Sequence, residues 1–315
     1  MLSRIANNLF WAGRYMERSE HMARYYLTHY YNVVEIGTQE LQIQSYNSMF
    51  LLAGMSDIPS VDYIKSNESD VVSRLMLDRD NVSSLKSVIH QCRENMRSAR
   101  DMINSNLWET TNKLYMLINN VRMDELEMAS VSSLCERIVK EATVAKSYID
   151  NSLIQNETWA FLKLGIHMEA ACQVCRIITT KLTESDIYAD TMNLDNTETY
   201  FSLNLLKNLE AQDMYKNHYK ALPNLRQSLE FLILEKSFPK SISYNMEHIR
   251  CIVEKIADMN GISKNGLEYQ VGKVSAGLKY TDVDVLQQDY VSFIENLLTD
   301  IHNIAHKLEE RYFIY

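Results

Sequence analysis

The sequence is poor in the residues that break regular structure. Of 315 residues, 8 are Gly and 3 are Pro, against average usage of about 7% and about 5%. So few breakers leave little material for hairpin turns and none for a Gly-rich phosphate loop. The Gly-x-Ser-x-Gly turn of a serine hydrolase and the His-Glu-x-x-His of a zinc protease are missing as well. Hydrolase, nucleotide-binding and metalloprotease readings therefore find no motif, and no cofactor is expected. No stretch of about 18 uncharged apolar residues occurs, so no membrane span is expected. The five cysteines, at 92, 135, 172, 175 and 251, form no disulfide framework. Arg4 and Arg14 interrupt the only early apolar run, which argues against a signal peptide, and the cytoplasm is the expected location. A net charge of −9 disfavours a nucleic-acid partner.

What the chain does have is helix-forming material. Sixteen Met and frequent Leu, with 46% hydrophobic residues, point to an all-α fold, a helical bundle. Ile5, Leu9, Ala12, Met16, Ala23 and Leu27 recur at helical spacing, so residues 3–36 read as one helix with Ser3 as cap and Gly37 as stop. Further helices are expected at 40–54, 83–104, 124–153, 157–182, 199–219, 223–235, 240–259 and 281–312, with another beginning at "NLWETTNK". Residues 183–198, with Asp186, Asp190, Asp195 and Glu198, read as an exposed acidic linker. Residues 260–280 hold four of the eight glycines and read as an irregular excursion.

The chain also resembles itself. Gly13, Met16, Glu17 and Arg24 fall on Gly165, Met168, Glu169 and Arg176 at an offset of 152. "LMLDRDNVSSLKSVIHQCR" (75–93) falls on "LILEKSFPKSISYNMEHIR" (232–250) at an offset of 157. Two matches in order predict two repeated helical units, 1–155 and 156–315, packed as one body.

Glu17 and Arg24 lie seven residues apart, as do Glu169 and Arg176. Seven steps return to nearly the same helix face but advance about 10.5 Å, too far for contact within one helix. The spacing therefore predicts a reciprocal pairing, Glu17 with Arg176 and Glu169 with Arg24, or a polar cleft in which these groups meet a ligand. Arg14, Arg18 and Glu20 add charge to the first copy, where Glu20 can pair with Arg24 four residues on. The second copy has Ile166, Ala170 and Cys172 at those positions, so any specialised half is the first. "RENMRSAR" sets Arg93, Arg97 and Arg100 along one helix stripe with Glu94 and Asn95 beside it, either a salt-bridged face or a cradle for phosphate or carboxylate. Cys172-x-x-Cys175 lacks the second pair that zinc needs, His302 and His306 lack an acid between them, and Glu17 with His21 lacks a partner motif for a di-metal centre, so no metal site is expected. Tyr25, Tyr26, Tyr30 and Tyr31 cluster on the first helix, as core or as partner surface.

"MLSRIANNLFWAGRYMERSEHMAR" resembles the opening of the bacterial Alpha-E family, with Met1–Arg4, Ala6, Asn8, Leu9 and Gly13–Arg18 matching its pattern. The resemblance continues at Arg93, Glu94, Asn95, Arg97, Arg100 and Trp108, at "WAFLKLGIHME", at "FPKS" and at the closing "ERYF". Ile166 and Ala170 depart from the family's second Gly-Arg-x-x-Glu-Arg, and Val82 stands where proline is usual. The resemblance implies an all-helical protein whose genes lie beside those for ATP-grasp-type ligases and transglutaminase-like proteins. Two functions follow as expectations. One is an accessory subunit that binds such a protein in a peptide- or amide-bond-forming or modifying system. The other is an enzyme of amide chemistry, with Glu17 and Glu20 as acid or base and Arg18, Arg24 and Arg97 holding an anion. Association with a second copy stays open.

Overall fold

The computed structural model describes residues 1–36, 39–55, 58–122, 128–191, 197–260, 266–281 and 289–313. Among these there are fourteen α-helices and no strand. They are α1 (Ser3–Ile36), α2 (Gln39–Leu52), α3 (Val61–Ser66), α4 (Glu68–Met76), α5 (Leu85–Ser98), α6 (Ser105–Asn119), α7 (Met128–Ser152), α8 (Glu157–Thr191), α9 (Thr197–Asn208), α10 (Gln212–Tyr219), α11 (Leu225–Leu234), α12 (Ile242–Asn260), α13 (Leu267–Tyr280) and α14 (Tyr290–Tyr312). No helix among the described residues is long and apolar enough to cross a membrane. Gly37, read above as a helix stop, lies outside the described residues.

Several boundaries differ from the expectation. The acidic segment after 182 continues α8 to Thr191. Its run from Thr183 to Thr191 contains neither Gly nor Pro, so nothing stops the helix; residues 192–196 of the proposed linker lie outside the described residues. The stretch 199–219 is two helices, because Glu210 takes a left-handed conformation (φ 51°) between α9 and α10. The excursion at 260–280 contains α13, in which Gly272 and Gly277 are helical. Burial of Leu267, Val271 and Leu278 on one face outweighs about 1 kcal/mol of propensity lost at each glycine. The last helix starts at Tyr290, not 281.

The chain divides into two compact units. The first is Trp11–Leu162, and the second joins Met1–Phe10 to Lys163–Tyr315. Both cuts fall inside long helices, α1 of 34 residues and α8 of 35. In the first unit α6 packs along α5 and α7; in the second α13 packs along α12 and α14. Helix α7 buries Cys135, Ile138, Ala142, Ala145 and Ile149, and α14 buries Ile294, Leu297, Ile301, Ile304 and Leu308, at the same spacing. Ser84, which caps α5, and Ser241, which precedes α12, are both fully buried. Each accepts a hydrogen bond from the amide three residues on, at 3.1 Å from Ser87 and 3.0 Å from Tyr244.

Candidate functional site: a buried charge network on the first helix

The one-sided apolar stripe read for α1 understates its burial. Ala12–Arg14, Met16, Glu17, Ser19–Ala23, Tyr25 and Tyr26 are all buried, which leaves almost no solvent face in this stretch. A carboxylate there must find a partner, because an unpaired buried charge costs several kcal/mol or more.

Glu17 finds its partners within its own unit. Its Oε2 accepts from Lys146 Nζ of α7 at 2.7 Å, and its Oε1 lies 3.1 Å from His21 Nε2 one turn on. Lys146 also lies 2.7 Å from Glu20 Oε2, and Glu20 Oε1 accepts from Arg24 at 2.8 Å. Lys146 thus takes the place that the spacing argument gave to Arg176. Two carboxylates, Glu17 and Glu20, meet two cations, Lys146 and Arg24. Burial by itself pushes the Glu17 carboxyl up, but Lys146 and His21 more than offset it and hold it well below the usual carboxylate range. Burial likewise works against the Lys146 ammonium, and Glu17 and Glu20 overcome it, raising its affinity for the proton. His21 Nδ1 is buried without a hydrogen-bond partner.

The other basic residues of the first helix act on rings. The buried Arg14 guanidinium lies 5.0 Å over Trp11, and half-buried Arg18 lies 5.7 Å from the Tyr15 ring. Tyr25 and Tyr26 are core residues, Tyr26 donating to the Leu75 carbonyl at 3.3 Å, whereas Tyr31 is exposed and donates to Glu136 at 3.1 Å.

The stripe of arginines does not survive as one face. Helix α5 ends at Ser98, and Arg100 begins a 3-10 turn after Ala99 leaves helical geometry. Arg93 and Arg100 both lie against Trp108, at 5.5 and 5.7 Å, and Arg93 donates to Asn112 at 2.8 Å and to Glu94 at 2.7 Å. Arg97 is exposed and pairs with the same Glu94 at 2.5 Å, while Asn95 Nδ2 bonds the Gln91 carbonyl. Glu94 therefore pairs with two of the three cations that the cradle reading set aside for a ligand, Arg93 and Arg97.

In the second unit Glu169 is fully buried on α8, and Gln173 Nε2 donates to its Oε1 at 2.8 Å. Gln173 stands where the first copy has His21, Cys172 where it has Glu20, and Ala305 beside the α14 face where Lys146 flanks that of α7. Arg176 is half-buried on α8. The Cys172 and Cys175 thiols are fully buried, and burial pushes Cys175 well above its ordinary value, so these are core thiols. His302 and His306 are exposed on α14, and no group of three or more potential metal ligands occurs among the described residues.

Sequence reasoning found Glu17, Glu20 and Arg24 but missed Lys146. Its only signal was adjacency to Ala145 on the regular apolar face of α7, which sets a cation at the edge of the core.

These features define an all-helical domain whose first helix buries the carboxylate of a Glu-Arg pair. The chain belongs to the Alpha-E family, described as a predicted alpha-helical domain with a conserved ER motif, whose model matches residues 1–313. Three Glu-Arg dipeptides occur, at 17–18, 136–137 and 310–311, and only the first buries its Glu. An uncharacterized protein of Mycobacterium bovis and one of Mycobacterium tuberculosis are each 18% identical over 302 residues, which covers 90% of this chain and 33% of theirs. The chain thus spans about a third of the length of these relatives. No solved structure matches it.

Proposed function

We propose that this chain is a duplicated helical module that serves as the partner-binding subunit of a bacterial peptide- or amide-bond-forming or modifying system. The partner is an ATP-grasp-type ligase or a transglutaminase-like protein, the classes that the family resemblance implies. The carrying observation is the state of Glu17. Both its oxygens are engaged, by Lys146 and by His21, and its carboxyl sits well below the usual range. A general acid or base works best with a pKa near the working pH, and this group is far from it. Charge arranged in this way fixes helix packing rather than moving protons. The mycobacterial relatives support the module reading, since the matched helical region occupies only 33% of their length. The shared spacing of buried residues on α7 and α14, and the paired Ser84 and Ser241 bonds, support the duplication.

The test is co-purification of the tagged chain from its native host, with mass spectrometry of the proteins and small molecules retained. Recovery of a ligase or transglutaminase-like protein in fixed stoichiometry is the expected result. Glu17→Gln separates the two functional readings. Intact assembly with activity retained in the reconstituted system supports the subunit. Intact folding and assembly with activity abolished would establish Glu17 as a chemical participant and end the proposal.

A further inference from the structure

Beside Tyr15, the first unit has an open pocket of about 460 Å³, lined by Arg79, Lys86, His90, Tyr115 and Asn119 among others. That is within the range of small-molecule sites, about 300–1,000 Å³. The second unit has a pocket of about 160 Å³, lined by Lys236, Ser243, Glu247, His248, Ser275 and Lys279. The two are the same place in the repeat. Arg79, Lys86, His90 and Gln91 of the first become Lys236, Ser243, Glu247 and His248 at an offset of 157, while Tyr115 and Asn119 become Ser275 and Lys279 at an offset of 160.

Their charge differs in kind. No carboxylate lines the first pocket. Arg79 donates to the Asn119 side chain at 2.8 Å and Lys86 to the Asn119 carbonyl at 3.5 Å, and neither has a carboxylate partner among the described residues. Burial and then the neighbouring Arg79 lower the Lys86 ammonium below its ordinary value. In the second pocket Glu247 supplies the negative charge. It accepts from Arg250 at 2.6 and 3.0 Å and from Ser275 at 2.9 Å. Arg250, first of all, with Ser275 and Lys279, holds its carboxyl down at about 2.

We infer that the first pocket binds a small molecule through a phosphate or carboxylate group held by Arg79 and Lys86, and that in the second unit Glu247 stands in place of that ligand. The rings of Tyr15 and Tyr115 wall the remaining volume, so the ligand extends beyond its anionic group. An arginine fork matches either oxyanion. The inference stands apart from the identity of any protein partner.

Isothermal titration of the whole chain in low-salt buffer, with inorganic pyrophosphate and with citrate as probes, tests it. Saturating binding of one equivalent is expected for at least one probe. Preference for pyrophosphate assigns a phosphoryl group, and preference for citrate a carboxylate. Arg79→Ala/Lys86→Ala is expected to weaken binding at least tenfold, whereas Lys236→Ala/Lys279→Ala leaves it unchanged. His90→Glu, which installs the residue type of the second pocket, is expected to weaken it similarly to the double variant; all variants are checked for native circular dichroism. Failure of both probes to saturate, binding of two equivalents, or equal sensitivity to the two double variants would overturn the inference.

Discussion

Where α1 sets Glu17 against His21 and Lys146, α8 sets Glu169 beside Gln173. Around Glu17 stand Lys146, His21 and a second acid, Glu20; beside Glu169 the positions of His21 and Glu20 are taken by Gln173 and Cys172. The pockets diverge in the opposite sense. Among the described residues the first pocket leaves Arg79 and Lys86 without a carboxylate, whereas the second holds Glu247, paired with Arg250 and Ser275. Helices α7 and α14 thus share the apolar spacing that positions them, while the charges beside it differ. Two of the charge changes come in opposite-sign pairs: Cys172 and Ala305 stand at the positions of Glu20 and Lys146, and Glu247 and Lys279 at those of His90 and Asn119.

The largest test of this difference is Lys146→Met. It removes the ammonium that Glu17 and Glu20 share and leaves two buried carboxylates side by side. Breaking a buried pair from one side costs about 3–5 kcal/mol, and urea denaturation at pH 7 is expected to show a loss in that range. Gln173→Leu in the second copy removes one hydrogen bond to a charged group and is expected to cost about 1.5–3 kcal/mol. Equal losses would mean that the two carboxylates are held alike and that the ionic elaboration of the first copy is incidental.

Acid should distinguish the copies next. Glu17 titrates in the folded state well below its unfolded value of about 4.3. Its contribution is therefore complete above that value and is lost as pH falls below it towards the folded pKa. Stability measured from pH 6 to pH 3 is expected to fall more steeply in the wild type than in Glu17→Gln. Glu247, held at about 2, loses its contribution in the same window. Its side chain is half exposed, so Glu247→Gln should flatten the profile less. A profile unchanged by Glu17→Gln would show that the carboxyl is not depressed.

Much of the architecture was legible in the sequence because helix periodicity is local. The first helix and the start of α5, expected at 83 and found at Leu85, follow from spacing and residue type. The misread segments share a cause. Acidity at 183–191 and glycine at 272 and 277 are weak arguments against a helix: that run of α8 has no Gly or Pro, and α13 has a buried face that outweighs its glycines. At the site, Glu20 with Arg24 was readable because the pair is one turn apart. Lys146 was not, since it reaches Glu17 across 129 positions of chain. Spacing also suggested a stripe including Arg100, but the helix ends two residues before it. The pocket cations Arg79 and Lys86 lie in the segment 75–93, which the proposed repeat aligns with 232–250. The difference between the pockets lies in the dissimilar pairs of that alignment, Lys86 with Ser243 and His90 with Glu247.

The smallest effect sharpens the comparison at a pair of similar positions. Ser84 and Ser241 do the same work for the helices that follow them, so alanine at either should cost about 1 kcal/mol, the ordinary value of a helix cap. They are not identical in their second bond. The Ser84 hydroxyl donates to the Ser87 side chain, which can turn to another partner, whereas the Ser241 hydroxyl donates to the Glu235 carbonyl, a fixed acceptor at the end of α11. Ser241→Ala leaves that carbonyl without its donor and should cost up to about 1 kcal/mol more than Ser84→Ala. Urea midpoints at constant slope resolve a difference of this size. A larger loss at Ser84 would mean that the start of α5, beside the cationic pocket, carries strain that its counterpart does not, and the two copies would differ in backbone as well as in charge.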